Sequence, residues 1–191
     1  MSDKYGYLKK YHFSNYGDVI EWPDNIVYDV DPDEIVKAEL LMGCQFPDQL
    51  RDFYKEIGHV RITSPHSRSS DYSFLSTNML LAPLVVAHFY RGIIAYHEEP
   101  FEDPLNFDDC YLANSLLEDL EPGDLPFFEV SDSSSFMIMK INSENPNAIW
   151  TDCGVKIEDS LERFIYRLYF EDPGYYGNII YDHYGIPRIN Q

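Results

Sequence analysis

Apolar positions in CQFPDQLRDFYKEIG, Cys44 to Gly58, recur with the helical period: Leu50, Phe53, Tyr54 and Ile57 fall at i, i+3, i+4 and i+7. Such a stripe predicts an amphipathic helix with one buried face. Pro47 suits the first helical position and Gly58 the position just past the end. A second helix is predicted directly before it, with Asp31 as N-cap, Pro32 at the first position and Glu34 completing a capping box. Its core side is expected to be Ile35, Ala38, Leu41 and Met42, with Gly43 as the stop. Further on, Asp159 and Glu162 predict another capping box, followed by Leu161, Phe164, Ile165 and Leu168 as the cleanest helical stripe in the chain. Leu80 to Tyr96 reads as a helix started by Pro83, with Leu84, Val85, Ala87, His88, Ile93 and Ile94 as its apolar positions. Gly92 weakens that helix by about 1 kcal/mol relative to Ala.

The period then changes to that of strands. His59 to Thr63 alternates, and Asp18 to Trp22 and Asn25 to Tyr28 are short strand candidates. Leu125 to Val130, Phe136 to Ile141 and Ala148 to Thr151 are apolar runs separated by Ser-, Asp- and Asn-rich turns. Connections this short allow only an antiparallel meander. Pro126 is expected at the start of its strand, where it costs no ladder bond. The helix over Leu161 to Leu168 is expected to cover one face of that sheet. Serine-rich Ser64 to Thr77 reads as a loop. The resulting organisation is an N-terminal extension over 1–30, an α+β domain over 31–170, and an irregular Tyr- and Gly-rich tail over 171–191.

Composition narrows the function more than the fold. A chain of 191 residues with 45% hydrophobic content is long enough for a core without disulfides or metal. The widely spaced Cys44, Cys110 and Cys153 form neither a disulfide framework nor a CxxC metal pair. There is no apolar run of membrane-spanning length and no signal-peptide core near the N-terminus, so a cytoplasmic location is expected. The net charge of −19 sets the chain against nucleic acid and anionic membranes as partners and favours basic proteins.

The charge is also unevenly placed. Between Gly92 and Met139 there is no Lys or Arg, while acids stand at Glu98, Glu99, Glu102, Asp103, Asp108, Asp109, Glu118, Asp119, Glu121, Asp124, Glu129 and Asp132. Acid runs usually form solvated faces. Interleaved with aromatics, this one is also the candidate partner surface. Glu98, Glu99, Glu102, Asp103, Asp108 and Asp109 would steer a basic partner, and Tyr96, Phe101, Phe107 and Tyr111 would anchor it.

The chain carries no GxGxxG after a strand, no Walker loop, no HExxH and no GxSxG. His97-Glu98-Glu99 lacks a second His at i+4 and does not have metal-site spacing. No histidine is singled out as a partner for Cys44, and Asp108-Asp109 in so acidic a chain is no anchor for a glycosidase reading. We expect no catalytic residue, no metal and no cofactor.

Three stretches, taken in order, resemble the SUKH superfamily, which includes the fungal cell-wall-assembly regulator and many bacterial toxin-immunity proteins. They are LMGCQFPDQLRDFYKEIG (Leu41 to Gly58), LPFFEVSDSSSFMIMKI (Leu125 to Ile141), and Ile149 to Phe170, where a strand leads into SLERFIYRL. NMLLAP, Asn78 to Pro83, resembles a mid-family segment. Many members carry Gly and Asp before the strand that here begins at Phe136, whereas this chain has Ser131 to Ser135 with only Asp132. The resemblance implies a twisted antiparallel sheet with helices packed against it. It also implies toxin binding without catalysis. The alternatives are a regulatory scaffold on the same fold and, less well supported, a hydrolase.

Overall fold

The computed structural model describes residues 4–15, 25–62, 78–98, 119–130, 135–171 and 175–185. Among them, seven strands form one antiparallel sheet whose spatial order is the chain order: β1 (Ile26–Tyr28), β2 (His59–Ile62), β3 (Asn78–Leu80), β4 (Asp124–Val130), β5 (Ser135–Lys140), β6 (Ile149–Thr151) and β7 (Lys156–Glu158). Five α-helices accompany it: α1 (Pro32–Met42), α2 (Asp48–Glu56), α3 (Pro83–His97), α4 (Leu161–Phe170) and α5 (Tyr175–Tyr184). This is the α+β arrangement read from the sequence, with the three-strand meander extended to seven. The strand expected at Asp18 to Trp22 and the loop expected at Ser64 to Thr77 lie outside the described residues.

The helix signals hold with small shifts. Asp31 caps α1 by accepting from the Asp33 N–H at 2.9 Å, and Gly43 ends the helix in the left-handed region. Pro47, however, has ψ 138°, which is extended, so α2 starts one residue later and Pro47 itself is the cap. Ser160 rather than Asp159 caps α4, accepting from the Arg163 N–H at 3.2 Å. α3 runs unbroken through Gly92, which is buried within it. Leu80, expected in α3, belongs to β3 instead, because Asn78 to Leu80 pairs with both β2 and β4. Val85 and His88 face outward, and the core positions of α3 include Val86, Phe89 and Tyr90. Leu41 is likewise turned away from the core side of α1.

Pro126 is the third residue of β4, not its first. The ladder to β5 slips between Pro126 and Phe128, and a bulge is where a strand tolerates a residue without an N–H. Side chains alternate along β5. Phe136 and Ile138 therefore face one way, towards Phe89 and Ile93 of α3, and Met137 and Met139 face the other. Phe128, paired with Met137, meets the Phe164 ring of α4 edge-on at 5.0 Å. The sheet is thus packed from both sides, which explains why β4 and β5 are apolar almost throughout.

The core reaches beyond 31–170 at both ends. Tyr5, Leu8 and Tyr11, from a 3-10 turn over Gly6–Tyr11, are buried in it, with Tyr5 edge-on to Phe53 at 4.7 Å. The Tyr11 and Tyr169 hydroxyls share a buried hydrogen bond of 2.9 Å. His12 forms a parallel bridge to Val27 and bonds Asp29 at 2.6 Å, which covers the β1 edge. The tail expected to be irregular contains α5. Its Tyr175 ring lies 3.8 Å from the Arg167 guanidinium, which also bonds buried Glu158 at 2.6 Å.

Candidate functional site

α3 ends where the acid-rich stretch begins, and the geometry of that corner is set by an apolar cluster. Ile93 of α3, Ile138 of β5 and Leu120, just before β4, form a small core of their own, with Tyr96 and Trp150 packed on it. His97 Nε2 lies 2.7 Å from the Leu120 carbonyl oxygen. A carbonyl only accepts, so Nε2 carries the proton and donates it. The last turn of α3 and the entry to β4 are thereby held together, and Glu98 and Asp119 project from the same corner.

The turn into β4 is closed on itself. The Asp124 N–H donates to the Glu121 carbonyl at 2.8 Å, and the Glu121 N–H donates to Asp124 Oδ2 at 3.1 Å. Asp124 is buried and pairs with Lys140 at 3.4 Å, so it is a structural ion and not a free surface charge. Glu98, Asp119 and Glu121 are exposed, and Glu129 is half-buried. Tyr96 is half-buried against the cluster, its ring edge-on to His97 at 5.5 Å. Of the sequence-derived surface, then, Tyr96 and Glu98 stand at this corner. Glu99, Phe101, Glu102, Asp103, Phe107, Asp108, Asp109 and Tyr111 lie outside the described residues.

Cys44 and Asp152 illustrate how reactive groups are held among the described residues. Burial pushes the Cys44 thiol up, away from the reactive thiolate, and Tyr90, its hydrogen-bond neighbour, is pushed up to about 12 by its own burial. Asp152 holds the start of β5, accepting from Ser135 Oγ at 2.8 Å and the Phe136 N–H at 3.2 Å. Among the described residues, no group of three or more His, Cys, Asp or Glu is placed to hold a metal ion. None of the described helices is long and apolar enough to cross a membrane.

Two surface features were not anticipated from the sequence. One is an aromatic ledge on α4, where Tyr166 and Phe170 are each 49% exposed, with ring centroids 4.7 Å apart. Tyr7 packs beside Phe170, and the Lys4–Glu162 ion pair at 3.0 Å borders a shallow groove there. The other is the outer side of α1, where Val36 and Leu40 are exposed. The sequence did carry a signal for this second feature: PDEIVKAELLM has more apolar residues than one helix face can bury.

One antiparallel sheet packed by helices on both sides, with a charged corner and these exposed apolar groups, describes an α+β domain. The chain belongs to the SMI1 / KNR4 family (SUKH-1), whose sequence model matches residues 29–181. It is also 27% identical over 159 residues to "Immunity protein YxxD" of Bacillus subtilis (strain 168), a match covering 83% of this chain and 92% of that protein. No solved structure matches it.

Proposed function

We propose that this chain is an immunity protein that binds and neutralises a protein toxin in the cytoplasm of the cell that makes it, without catalysing a reaction. The observation that carries this reading is its similarity, over most of both chains, to a protein named for immunity, together with its own family membership. The charge supports a basic partner. At −19 overall, with exposed Glu98, Asp119 and Glu121 at one corner, the chain would draw in a positive surface such as the substrate face of a nuclease toxin. On this reading Glu98, Glu99, Glu102, Asp103, Asp108 and Asp109 steer the toxin domain. Tyr96, Phe101, Phe107 and Tyr111 set the lifetime of the complex. Nucleic acid and anionic membranes are not partners of such a protein.

The test is binding kinetics at two ionic strengths with a toxin domain identified by expressing the genes that flank this chain's own and assaying their products for toxicity. Replacing Glu98, Glu99, Glu102 and Asp103 by Gln or Asn is expected to slow association at low salt and flatten its salt dependence, with the fold intact. An unchanged association rate and salt slope would return these acids to the role of a solvated face. Failure of the native chain to bind or protect against that toxin domain would reject the immunity reading and favour a regulatory scaffold.

A further inference from the structure

We infer that the outer stripe of α1, centred on Leu40 and Val36, is the apolar heart of the surface that receives the basic partner. The inference rests on the immunity reading. It adds a contact site remote in sequence from the acid-rich stretch.

The argument starts from helix geometry. Ile35, Ala38 and Met42 are buried and define the direction of the core. At about 100° per residue, Leu40 points about 170° away from their mean direction and Val36 about 130° away. Leu40 is 76% exposed, the largest value among the exposed large hydrophobics of the described residues, and Val36 is 50% exposed. They stand at i and i+4, so the two side chains are neighbours on one face. Leu41, at 38%, widens the stripe on one flank. Leu on an exposed helix face has an ordinary explanation, since it is a strong helix former. Val has none, because its β-branch lowers helix propensity. A paired exposed Val and Leu directly opposite a complete core face is therefore a second apolar face rather than an incomplete first one.

The surroundings say what would cover it. Asp31 and Asp33 are exposed at the start of the same helix, Asp29 is exposed just before it, and Glu34 is half-buried in its first turn. The cation on the outer face is Lys37. An apolar centre with an acidic border fits a protein surface that carries Lys or Arg around an apolar projection. It disfavours a second copy of this chain, whose identical acidic border and net charge of −19 would be repelled. The aromatic ledge on α4 is a weaker candidate for this partner, because its ions are already balanced: Lys4 pairs with Glu162, Arg163 with Glu158, and Arg167 with both Glu158 and Glu171. Its two exposed rings also already pack on each other at a tilt.

The test is the double variant Val36→Ser/Leu40→Ser, with Tyr166→Ser/Phe170→Ser as the comparison, each titrated with the toxin domain identified from the flanking genes. Serine leaves the charge unchanged, so long-range attraction is untouched. The α1 variant is expected to weaken binding by about ten-fold or more, through faster dissociation, while the association rate and its salt slope stay at the native values. Its thermal midpoint should fall only slightly, since both side chains are exposed and the loss is confined to helix propensity. The ledge variant is expected to stay within about two-fold of native binding. Native affinity in the α1 variant, with the native chain binding normally, overturns this inference and leaves the immunity reading in place. So does loss of binding confined to the ledge variant, or a solution dimer of the native chain that the α1 variant abolishes. A native chain that does not bind the toxin domain removes both together.

Discussion

Phe164→Ala is expected to be among the most damaging single changes in this protein, and the structure says why. The side chain is fully buried in α4 and touches three rings: Phe128 edge-on at 5.0 Å, Phe127 at 6.2 Å and Tyr175 at 6.3 Å. Truncating a buried Phe costs about 3–5 kcal/mol, the upper end applying where the site cannot collapse. Here it cannot readily collapse. Phe127 and Phe128 sit at the bulge of a central strand paired on both sides, and Tyr175 is held beneath the Arg167 guanidinium. The edge-on ring contacts add about 0.5–1.5 kcal/mol each to what area alone predicts. The expected loss is therefore about 4–5 kcal/mol, a large part of the roughly 5–15 kcal/mol that stabilises a domain. With a urea m-value of about 2 kcal/mol/M, the unfolding midpoint should fall by about 2 M. Phe164→Leu, which keeps most of the volume, should cost about 1 kcal/mol. A loss below about 1 kcal/mol for the alanine variant, on the same urea curve, would refute the claim that α4 closes the sheet.

Gly58→Ala should destabilise by at least about 2 kcal/mol, because Gly58 has φ 109° and an added Cβ would lie 2.0 Å from the Tyr28 carbonyl oxygen; a thermal midpoint equal to native would contradict that geometry. His59 predicts a pH effect. Burial, against the Tyr28 ring 4.8 Å away, lowers its pKa below the ordinary 6.5, with a smaller opposing pull from Glu34. The unfolded chain then binds the proton more readily, so this contribution to stability is full above pH 6.5 and is lost as pH falls through 6.5 to the folded value. His59→Gln should flatten the stability profile across that window, and an unchanged slope in urea titrations there would exclude His59 as the source.

Local information in the sequence determined most of the element list. The stripe of Leu50, Phe53, Tyr54 and Ile57 forms from neighbours on one helix, and all four are buried. Asp31 acts through its own side chain on a neighbouring N–H, and Gly43 and Gly58 through their own backbones, so their roles were legible before any packing was known. The order of turns between apolar runs gave the antiparallel meander, and the spacing of those landmarks gave the family. Tertiary structure alone decided what depends on distant partners. Asn78 to Leu80 carries too little pattern to be a strand by itself and becomes one between β2 and β4. Tyr5, Leu8 and Tyr11 belong to the core only because Phe53 and Tyr169 are there to receive them. Leu41 and Val85 fit a helical stripe by spacing yet face outward, since which side of a helix is buried depends on the element laid against it. The outer face of α1 was hidden for the same reason. Periodicity reports how many apolar residues a helix has, and only the packed fold shows which of them are left over for a partner.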